Sequence, residues 1–352
     1  TRQTDIVTFR AGIDEEPEDV AKRIKDLFTE VKKKYSDVID SSDNIHLDSK
    51  SIFYVVGELQ NFSLTDSSRD AIGDAFEVFI DHALKGGQGQ FFTPRNVVKM
   101  IVEIVNPSTD EKILDPACGS GGFLIESMRF IWDKIEKEGK NLNWPDNEIE
   151  IEKQKVAIKN LRGVDKDYFL SKVAKAYMAL LGDGRGGVFC ENSLDSPKNW
   201  NKKTQIEIKL ESFDVIVTNP PFGAKLPVTG EEIIKQFEFG YKWKFNKKEN
   251  QWEKGKIKDK EAPQILFIER CLQLLNPGGR LGIVLPDGIL GNDKLGYIRN
   301  HIIKQAKILA VIDVPIETFM PHTSTKTSII VLQKYLDEET PETDYEIFMA
   351  IA

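Results

Sequence analysis

The chain has 352 residues, with 48 Lys and Arg against 56 Asp and Glu for a formal net charge of −8, and is 40% hydrophobic and 30% charged. This gives room for two or three domains with a full core and excludes a disordered chain. It also excludes a chain of membrane spans, because no uninterrupted apolar run approaches the ~18–20 residues a bilayer crossing needs.

Three cysteines (Cys118, Cys190, Cys271) and four histidines (His46, His82, His301, His322) form no ligand spacing, so no metal is expected. The odd, sparse cysteine count points to a reducing compartment and a cytoplasmic location. No basic-plus-apolar leader opens the sequence, and a start at Thr1 is what a trimmed chain would show. Taken alone, the acidic balance argues against a nucleic-acid partner, since phosphate binding is driven by Lys and Arg.

The first ninety residues read as helical. From Pro17, the residues Val20, Ile24, Leu27, Phe28 and Val31 recur at helical spacing. Residues 36–51 are rich in Ser, Asp and Asn and read as a connection. A second helix is expected from Asp70 to Leu84, stopped by Lys85-Gly86-Gly87. Thr93-Pro94 then fits an N-cap followed by Pro at the first helical position, opening a helix to about Val105.

Beyond Lys112 short apolar strands alternate with helices. Strands are expected at 112–115, 161–165, 187–190, 213–219, 280–285, 309–314 and 327–332, and helices at 121–137, 167–181, 262–275 and 293–304, with an insertion around 138–155. Such alternation predicts an α/β domain with a mainly parallel sheet covered on both faces. The boundary falls near residue 85, giving a helical region over 1–85 and an α/β domain over 86–352.

Ile113-Leu114-Asp115-Pro116-Ala117-Cys118-Gly119-Ser120-Gly121-Gly122-Phe123 reads as a strand, a tight glycine turn and a helix start. Open parallel sheets bind ligands at the carboxyl ends of their strands, where glycines let a cofactor approach the backbone. A dinucleotide fingerprint needs a third Gly where Leu124 stands, and an acid ~20 residues on, whereas Asp165 lies far beyond. The turn suits a nucleoside with a charged amino-acid tail, the shape of S-adenosylmethionine. Asp115 would attract its ammonium group, and Asp165 would accept from both ribose hydroxyls. The competing readings are a βα turn without ligand and a solvated strand end.

Phe213–Thr218 is a buried-type strand running into Asn219-Pro220-Pro221-Phe222. Two prolines after a core strand fix the backbone and leave carbonyls unpaired. An Asn oxygen beside the Pro220 carbonyl makes two acceptors suited to an amino group. The exocyclic amine of adenine is a poor nucleophile because its lone pair is delocalised into the ring. Accepting both hydrogens favours a tetrahedral nitrogen, and Phe222 would stack on the base once it leaves the helix. The bland alternative is a proline-rich strand terminator.

Together, DPACGSGGFL (115–124), NPPF (219–222) and GQFFTPRNVVKMIV (89–102) resemble the amino-methyltransferases that make N6-methyladenine in DNA. The likeness runs from about Asp70 to Leu332, and within the family it resembles the modification subunits of type I restriction–modification systems. The resemblance implies a class I S-adenosylmethionine-dependent methyltransferase fold, Rossmann-like, with a mainly parallel seven-stranded sheet and a helical N-terminal region. Phe92, Thr93 and Pro94 match the segment that holds the methionine end of the cofactor. Asp115, Gly119 and Gly121 match the cofactor loop, Asp165 the ribose acid, and Asn219, Pro220, Pro221 and Phe222 the catalytic tetrad. After the third strand the family has an acid that accepts from the cofactor's adenine amine. Here Asn192 stands in that place, and an amide can still accept the bond. Pro277-Gly278-Gly279-Arg280 matches a structural turn before the fifth strand, and Thr325-Lys326-Thr327 matches a motif near the target-base pocket.

Between the tetrad and the next helix, residues 235–260 hold nine Lys against four acids, a local net of +5 that leaves −13 for the remainder. Six aromatics are interleaved: Phe237, Phe239, Tyr241, Trp243, Phe245 and Trp252. A phosphate-tracking surface with stacking side chains would look like this, with Lys242, Lys244, Lys247 and Lys248 as contacts. A solvated β-ribbon with its aromatics packed underneath is the alternative.

The resemblance implies DNA as partner, together with a specificity subunit and a restriction subunit. No target-recognition domain is evident before Ala352, so sequence choice is expected from a separate subunit or a missing C-terminal part. Two rivals remain open. One is a glutamine methyltransferase of the release-factor type, which typically carries Tyr in the tetrad's last place. The other is a non-catalytic scaffold that binds DNA or subunits.

Overall fold

Pro17 opens the helix that organises the first part of the chain. In this computed structural model, residues 7–36, 38–61, 93–182, 185–223, 227–320, 323–338, 341 and 344–351 are described. The chain divides into two units, Thr1–Lys85 and Gly86–Ala352. In the first, Val20, Ala21 and Ile24 of α1 (Pro17–Lys34) share one apolar cluster with Ile52 and Val56 of α2 (Ser49–Leu59). The connection expected over 36–51 therefore ends in a helix start. Asp48 caps it by accepting from the Ser51 N–H at 2.9 Å, a signal hidden in a run of polar residues. The Gln60 side chain closes the unit, bonding both the N–H and the carbonyl of Ala11 at 2.8 and 3.1 Å. The helix expected over 70–84 and the residue Phe92 lie outside the described residues.

The second unit alternates as its pattern predicts: α3 (Arg95–Val105), β1 (Ile113–Asp115), α4 (Gly122–Asn141), α5 (Asp146–Lys159), β2 (Leu161–Asp165), α6 (Tyr168–Gly182), β3 (Val188–Cys190) and β4 (Phe213–Thr218). Then come four short or ribbon strands, β5 (Val228–Thr229), β6 (Tyr241–Asn246), β7 (Gln251–Ile257) and β8 (Lys260–Glu261). The chain continues through α7 (Pro263–Leu274), β9 (Leu275–Pro286), α8 (Gly296–Gln305), β10 (Ala306–Val314), β11 (Thr327–Lys334) and β12 (Phe348–Ala350). The main sheet has the order β12-β10-β11-β9-β4-β1-β2-β3, parallel except for β11. Successive residues of a strand face opposite sides, and Ile113 and Leu114 are both fully buried, so both faces are covered.

This order fixes where a ligand can sit. The chain runs outward from β1 to β2 and β3, then crosses back to place β4 on the other side of β1. At such a switch the loops leaving β1 and β4 part in opposite directions and open a crevice at their carboxyl ends. The glycine turn leaves β1 there and Asn219-Pro220-Pro221-Phe222 leaves β4.

Several boundaries differ from the sequence reading. Among the described residues the sheet has eight strands, not seven: Phe348–Ala350 adds a short parallel edge against β10, too brief to show alternation. The insertion around 138–155 contains α5, which buries only Ile149, Val156, Ala157 and the stem of Lys153, so its pattern is diluted by charge. It packs so closely that a Cβ on Gly139 would lie 2.7 Å from Ile149. The turn at Pro277–Gly279 lies within β9, which starts at Leu275, and a register shift between Phe213 and Val215 absorbs it. Helix α3 begins one residue late, with extended Pro94 in the cap position and no cap from Thr93. That leaves the Thr93 hydroxyl for another bond.

Close packing also constrains the turn. A Cβ on Gly163 in β2 would lie 2.6 Å from Leu124 Cδ1 and 3.0 Å from Cys118 Sγ, the latter within the glycine turn itself. Gly163→Ala is expected to cost roughly 1–3 kcal/mol by overpacking, read as a lower urea midpoint with an unchanged slope.

Candidate active site

The glycine turn is built by its own backbone requirements. Gly119 and Gly121 adopt φ of +51° and +92°, which an L side chain resists, and Gly121 caps the start of α4. A Cβ on Gly119 would meet nothing within 4 Å, so the backbone there faces open space. The turn is pinned at both edges: Cys118 N–H donates to the Val164 carbonyl at 2.9 Å, and Gly119 N–H donates to Asp165 Oδ2 at 2.9 Å.

Asp165 and Asp115 are set differently. Asp165 lines the cavity, half-buried, with Oδ1 accepting from the Asp167 N–H at 2.8 Å. Each carboxylate oxygen has a second lone pair, so two hydroxyl donors can still be received. Burial raises its pKa against the two backbone bonds that lower it. Asp115 is 1% exposed and is not among the cavity-lining residues. Its Oδ1 accepts from the Thr218 hydroxyl at 2.7 Å and from the Ala117 N–H at 3.0 Å. Burial pushes this carboxyl up to about 7, with the Thr218 and Ala117 bonds pulling the other way. Asp115 therefore braces the turn from behind.

The second loop forms the other side of the crevice. Pro220 is buried, Pro221 exposed and Phe222 half-buried, and all three line the cavity with Asn219. Asn219 Nδ2 donates to Thr93 Oγ1 at 3.0 Å, joining two residues 126 positions apart. Its Oδ1 is buried with no hydrogen-bond partner. Buried polar atoms are almost always satisfied, so this orphaned acceptor marks a place for a donor. Thr93 and Pro94 stand beside this loop and not among the cavity-lining residues.

Between the loops lies a cavity of about 310 Å3. Leu170, Leu194 and Phe267 give it apolar walls for a flat ring, while Asp165, Asn192 and Asn219 supply polar edges. Asn192 is there as expected, but its oxygen accepts from the Leu194 N–H at 3.2 Å and its NH2 donates to Asp195 at 3.1 Å. Neighbouring Glu191, which sequence reasoning passed over, also lines the cavity. Its Oε1 accepts from the Asn201 backbone N–H at 2.8 Å and from the Asn201 side chain. Its place at the end of β3, one βα unit after Asp165, was the available signal. Pro227, Val228, Thr229 and Ile233 were also missed, because the two-residue pairing of β5 with β8 leaves no trace in sequence.

The basic segment forms a two-stranded ribbon, β6 paired with β7. Its aromatics correct the expectation of a stacking surface. Trp243 stacks on Tyr297 of α8 with centroids 6.1 Å apart, and Trp252 meets the same ring edge-on at 5.8 Å. Phe237 and Phe239 are buried. These rings root the ribbon because burying them outweighs leaving flat apolar faces in water. Lys235, Lys254 and Lys258 are paired with Glu232, Glu238 and Glu261. Lys242, Lys244, Lys247 and Lys248 are exposed and make no ion pair among the described residues. Thr325-Lys326-Thr327 does not reach the cavity: Lys326 pairs with Asp313 at 3.1 Å, and Thr327 is buried opposite Pro286.

Among the described residues no group of three or more His, Cys, Asp or Glu side chains is gathered to hold a metal. No helix there is long and apolar enough to cross a membrane.

Comparison with known proteins places this geometry. The profile of the N-6 DNA Methylase family matches residues 67–350. The EcoEI type I restriction enzyme methylase subunit of Escherichia coli is 28% identical over 310 residues, covering 86% of this chain and 54% of that protein. The chain thus spans about half the length of that relative. The type I restriction-modification methyltransferase subunit of Streptococcus thermophilus superposes with a TM-score of 0.63 at 21% identity, covering 91% of this chain and 62% of that one. A Listeria monocytogenes protein assigned to the class I S-adenosylmethionine-dependent methyltransferases gives 0.56 at 20% identity, covering 86% and 78%. These likenesses establish the class I methyltransferase fold.

The raised Asp115 carboxyl sets a pH dependence. The folded state holds this proton up to about 7, whereas the unfolded state releases it near 4. The folded state therefore binds more protons in that window, and stability falls as pH rises from about 4 to 7, then levels. Asp115→Asn should flatten that fall, on the order of a few kcal/mol across the window, as measured by urea unfolding at a series of pH values.

Proposed function

The chain belongs to the N-6 DNA Methylase family, and on that premise we propose that it transfers the methyl group of S-adenosylmethionine to the N6 amine of adenine in DNA. The single observation that carries this reading is the Asn219 side-chain oxygen, buried and unpartnered where the central strand β4 ends in the cavity. An acceptor held there suits an amino group with two N–H bonds. Receiving one hydrogen draws the nitrogen lone pair out of conjugation and turns it toward the donor. Phe222, on the same wall, offers a flat face to the base. Adenine inside a duplex cannot reach such a recess, so the nucleotide must swing out of the stack.

The cavity residues fit the cofactor. The nucleoside would lie between Leu170 and Phe267, its ribose hydroxyls on Asp165, and its tail over the open backbone of Gly119, with Asn192 and Glu191 at the base edge. S-adenosylmethionine supplies an electrophilic methyl group on sulfonium. The chain's own part is to bind, orient and dry the two reactants. Asp115, largely sealed behind the turn, acts by holding Ala117 and Thr218 in place.

The exposed lysines of the ribbon give DNA a place to lie. Val228 and Thr229 line the cavity and belong to β5, which pairs with β8 just after the ribbon's return strand. The basic surface is thus tied to the cavity's own wall. As in the type I methylase subunits it resembles, the chain would work as a modification component, with sequence choice coming from a specificity subunit. A glutamine substrate fits less well with this family, and a scaffold without catalysis gives no reason for an unpaired Asn219 oxygen.

The test is incubation with labelled S-adenosylmethionine, duplex DNA and a specificity partner, followed by nucleoside analysis. Label in N6-methyladenine is expected. Label elsewhere, or none, would refute the assignment. Asn219→Ala should hold cofactor affinity within about twofold while transfer falls roughly 100-fold or more. Replacing Lys242, Lys244, Lys247 and Lys248 by Ala should weaken DNA binding and reduce its salt slope by up to about 3–4. A slope that does not change would remove the ribbon from the interface.

A further inference from the structure

We propose that Lys256 is a DNA-phosphate contact, turned by a bulge in the ribbon onto the outer face beside Lys242 and Lys244, so that the three form one cationic platform. This rests on the DNA-methylase reading above and adds a residue that simple alternation would place on the opposite face. Residues directly across an antiparallel pair share a face, and successive residues of a strand alternate. Trp243 pairs with Lys254 and Phe245 with Trp252. Trp243 and Trp252 both rest on Tyr297, which makes theirs the inner face. Lys244, across from Glu253, therefore belongs to the outer face. Uninterrupted alternation from Glu253 would send Lys256 inward with Lys254.

The pairing does not run on in that way. Tyr241 pairs with Ile257 while Trp243 pairs with Lys254, so Lys242 stands across from two residues, Gly255 and Lys256. A bulge of this kind re-aims the side chains beyond it. Tyr241 faces inward, because Lys254 Nζ lies 3.8 Å from its ring centroid. Ile257 shares that face, and Lys256, the residue before it, points outward with Lys242. Gly255 fills the bulge without a side chain: a Cβ there would lie 3.1 Å from the Lys242 carbonyl. Lys242, Lys244 and Lys256 are exposed and make no ion pair among the described residues. Strand geometry roots them roughly 5–7 Å apart. Like charges set across from each other are destabilising, and the acid on this face is engaged elsewhere, since Glu253 receives Asn246 Nδ2 at 2.6 Å. Lys254, in contrast, is paired with Glu238 at 2.8 Å. A row of phosphates supplies the missing anions. Strand β8, just after the ribbon, pairs with β5 of the cavity wall, which ties the platform to the place where the base must arrive.

The experiment measures duplex binding by the full chain with its specificity partner over a range of salt, as wild type, Lys256→Ala, Lys256→Arg and Lys254→Gln. Lys256→Ala should weaken binding on duplexes of different sequence alike and reduce the slope of log K against log salt by about 1. Lys256→Arg, which keeps the charge on the outer face, should hold the wild-type slope, and so should Lys254→Gln, whose charge lies on the inner face. An unchanged slope in Lys256→Ala overturns the assignment, and so does an equal drop in Lys254→Gln or a wild type whose binding ignores salt. Affinity for the specificity partner is titrated without DNA for the same variants and should not change. A loss there in Lys256→Ala, with the DNA slope intact, would give the face to an acidic protein surface and overturn the proposal. The two readings fail separately, because the slope needs no methyl transfer. A wild type that keeps this slope but puts no methyl on adenine counts against the function alone.

Discussion

One buried hydrogen bond joins the two halves of the crevice. The Thr218 hydroxyl, at the last position of β4, donates to the Asp115 carboxyl, at the last position of β1, over 2.7 Å. The strands are neighbours in a parallel sheet, and their loops must diverge. Without a tie at the point of divergence, the glycine turn and the Asn-Pro-Pro-Phe loop would each be set only by its own contacts. With it, the open backbone of Gly119 and the amide of Asn219 share one reference point. The same carboxyl also receives the Ala117 N–H, so the bond is continuous with the turn. Low local dielectric strengthens this arrangement and also makes the carboxyl hold its proton.

A second pair of adjacent residues joins the cavity rim to the ribbon. Glu269 and Arg270 sit on α7, both buried. Glu269 receives the N–H groups of Glu238 and Phe239 at 2.8 and 3.0 Å, at the foot of the ribbon. Arg270 donates to the carbonyls of Leu194 and Asp195, at the cavity rim, and to Gln236. Burial lowers the Arg270 pKa to about 10, opposed first by the neighbouring Glu269 charge, and raises that of Glu269, opposed by the N–H groups of Phe239 and Glu238. One turn of helix thus fixes the basic surface and the cavity rim to a common support.

Much of this was legible in the chain. Alternating strands and helices gave the parallel sheet, since a strand buried on both faces is apolar along its centre, as Val215, Ile216 and Val217 are in β4. The glycine turn and the Asn-Pro-Pro-Phe run were visible because their backbone geometry restricts residue choice. The aromatic ribbon was misread in part because periodicity does not tell which side of a two-stranded sheet is covered. Only Tyr297, some fifty residues on, shows that Trp243 and Trp252 face inward. Asp115 stands out by its place at a strand end, but its bond to a hydroxyl 103 residues away has no local signal. Thr93 was read as a helix cap because Thr-Pro is a common start signal, and its bond to Asn219 is invisible to local rules.

The neck of the ribbon carries a further consequence. The Lys258 N–H meets the Gly240 carbonyl at 2.8 Å, and Gly240 itself lies against the Ile234 carbonyl so tightly that a Cβ would come within 2.1 Å. The segment from 241 to 257 therefore leaves and re-enters the fold at nearly one point, gripped from below. A graft with ends already together can be lengthened or recoloured in charge at its tip while the strand order of the main sheet stays as it is. Descent with variation has in this hairpin a module whose length and charge are adjustable independently of the crevice beneath it.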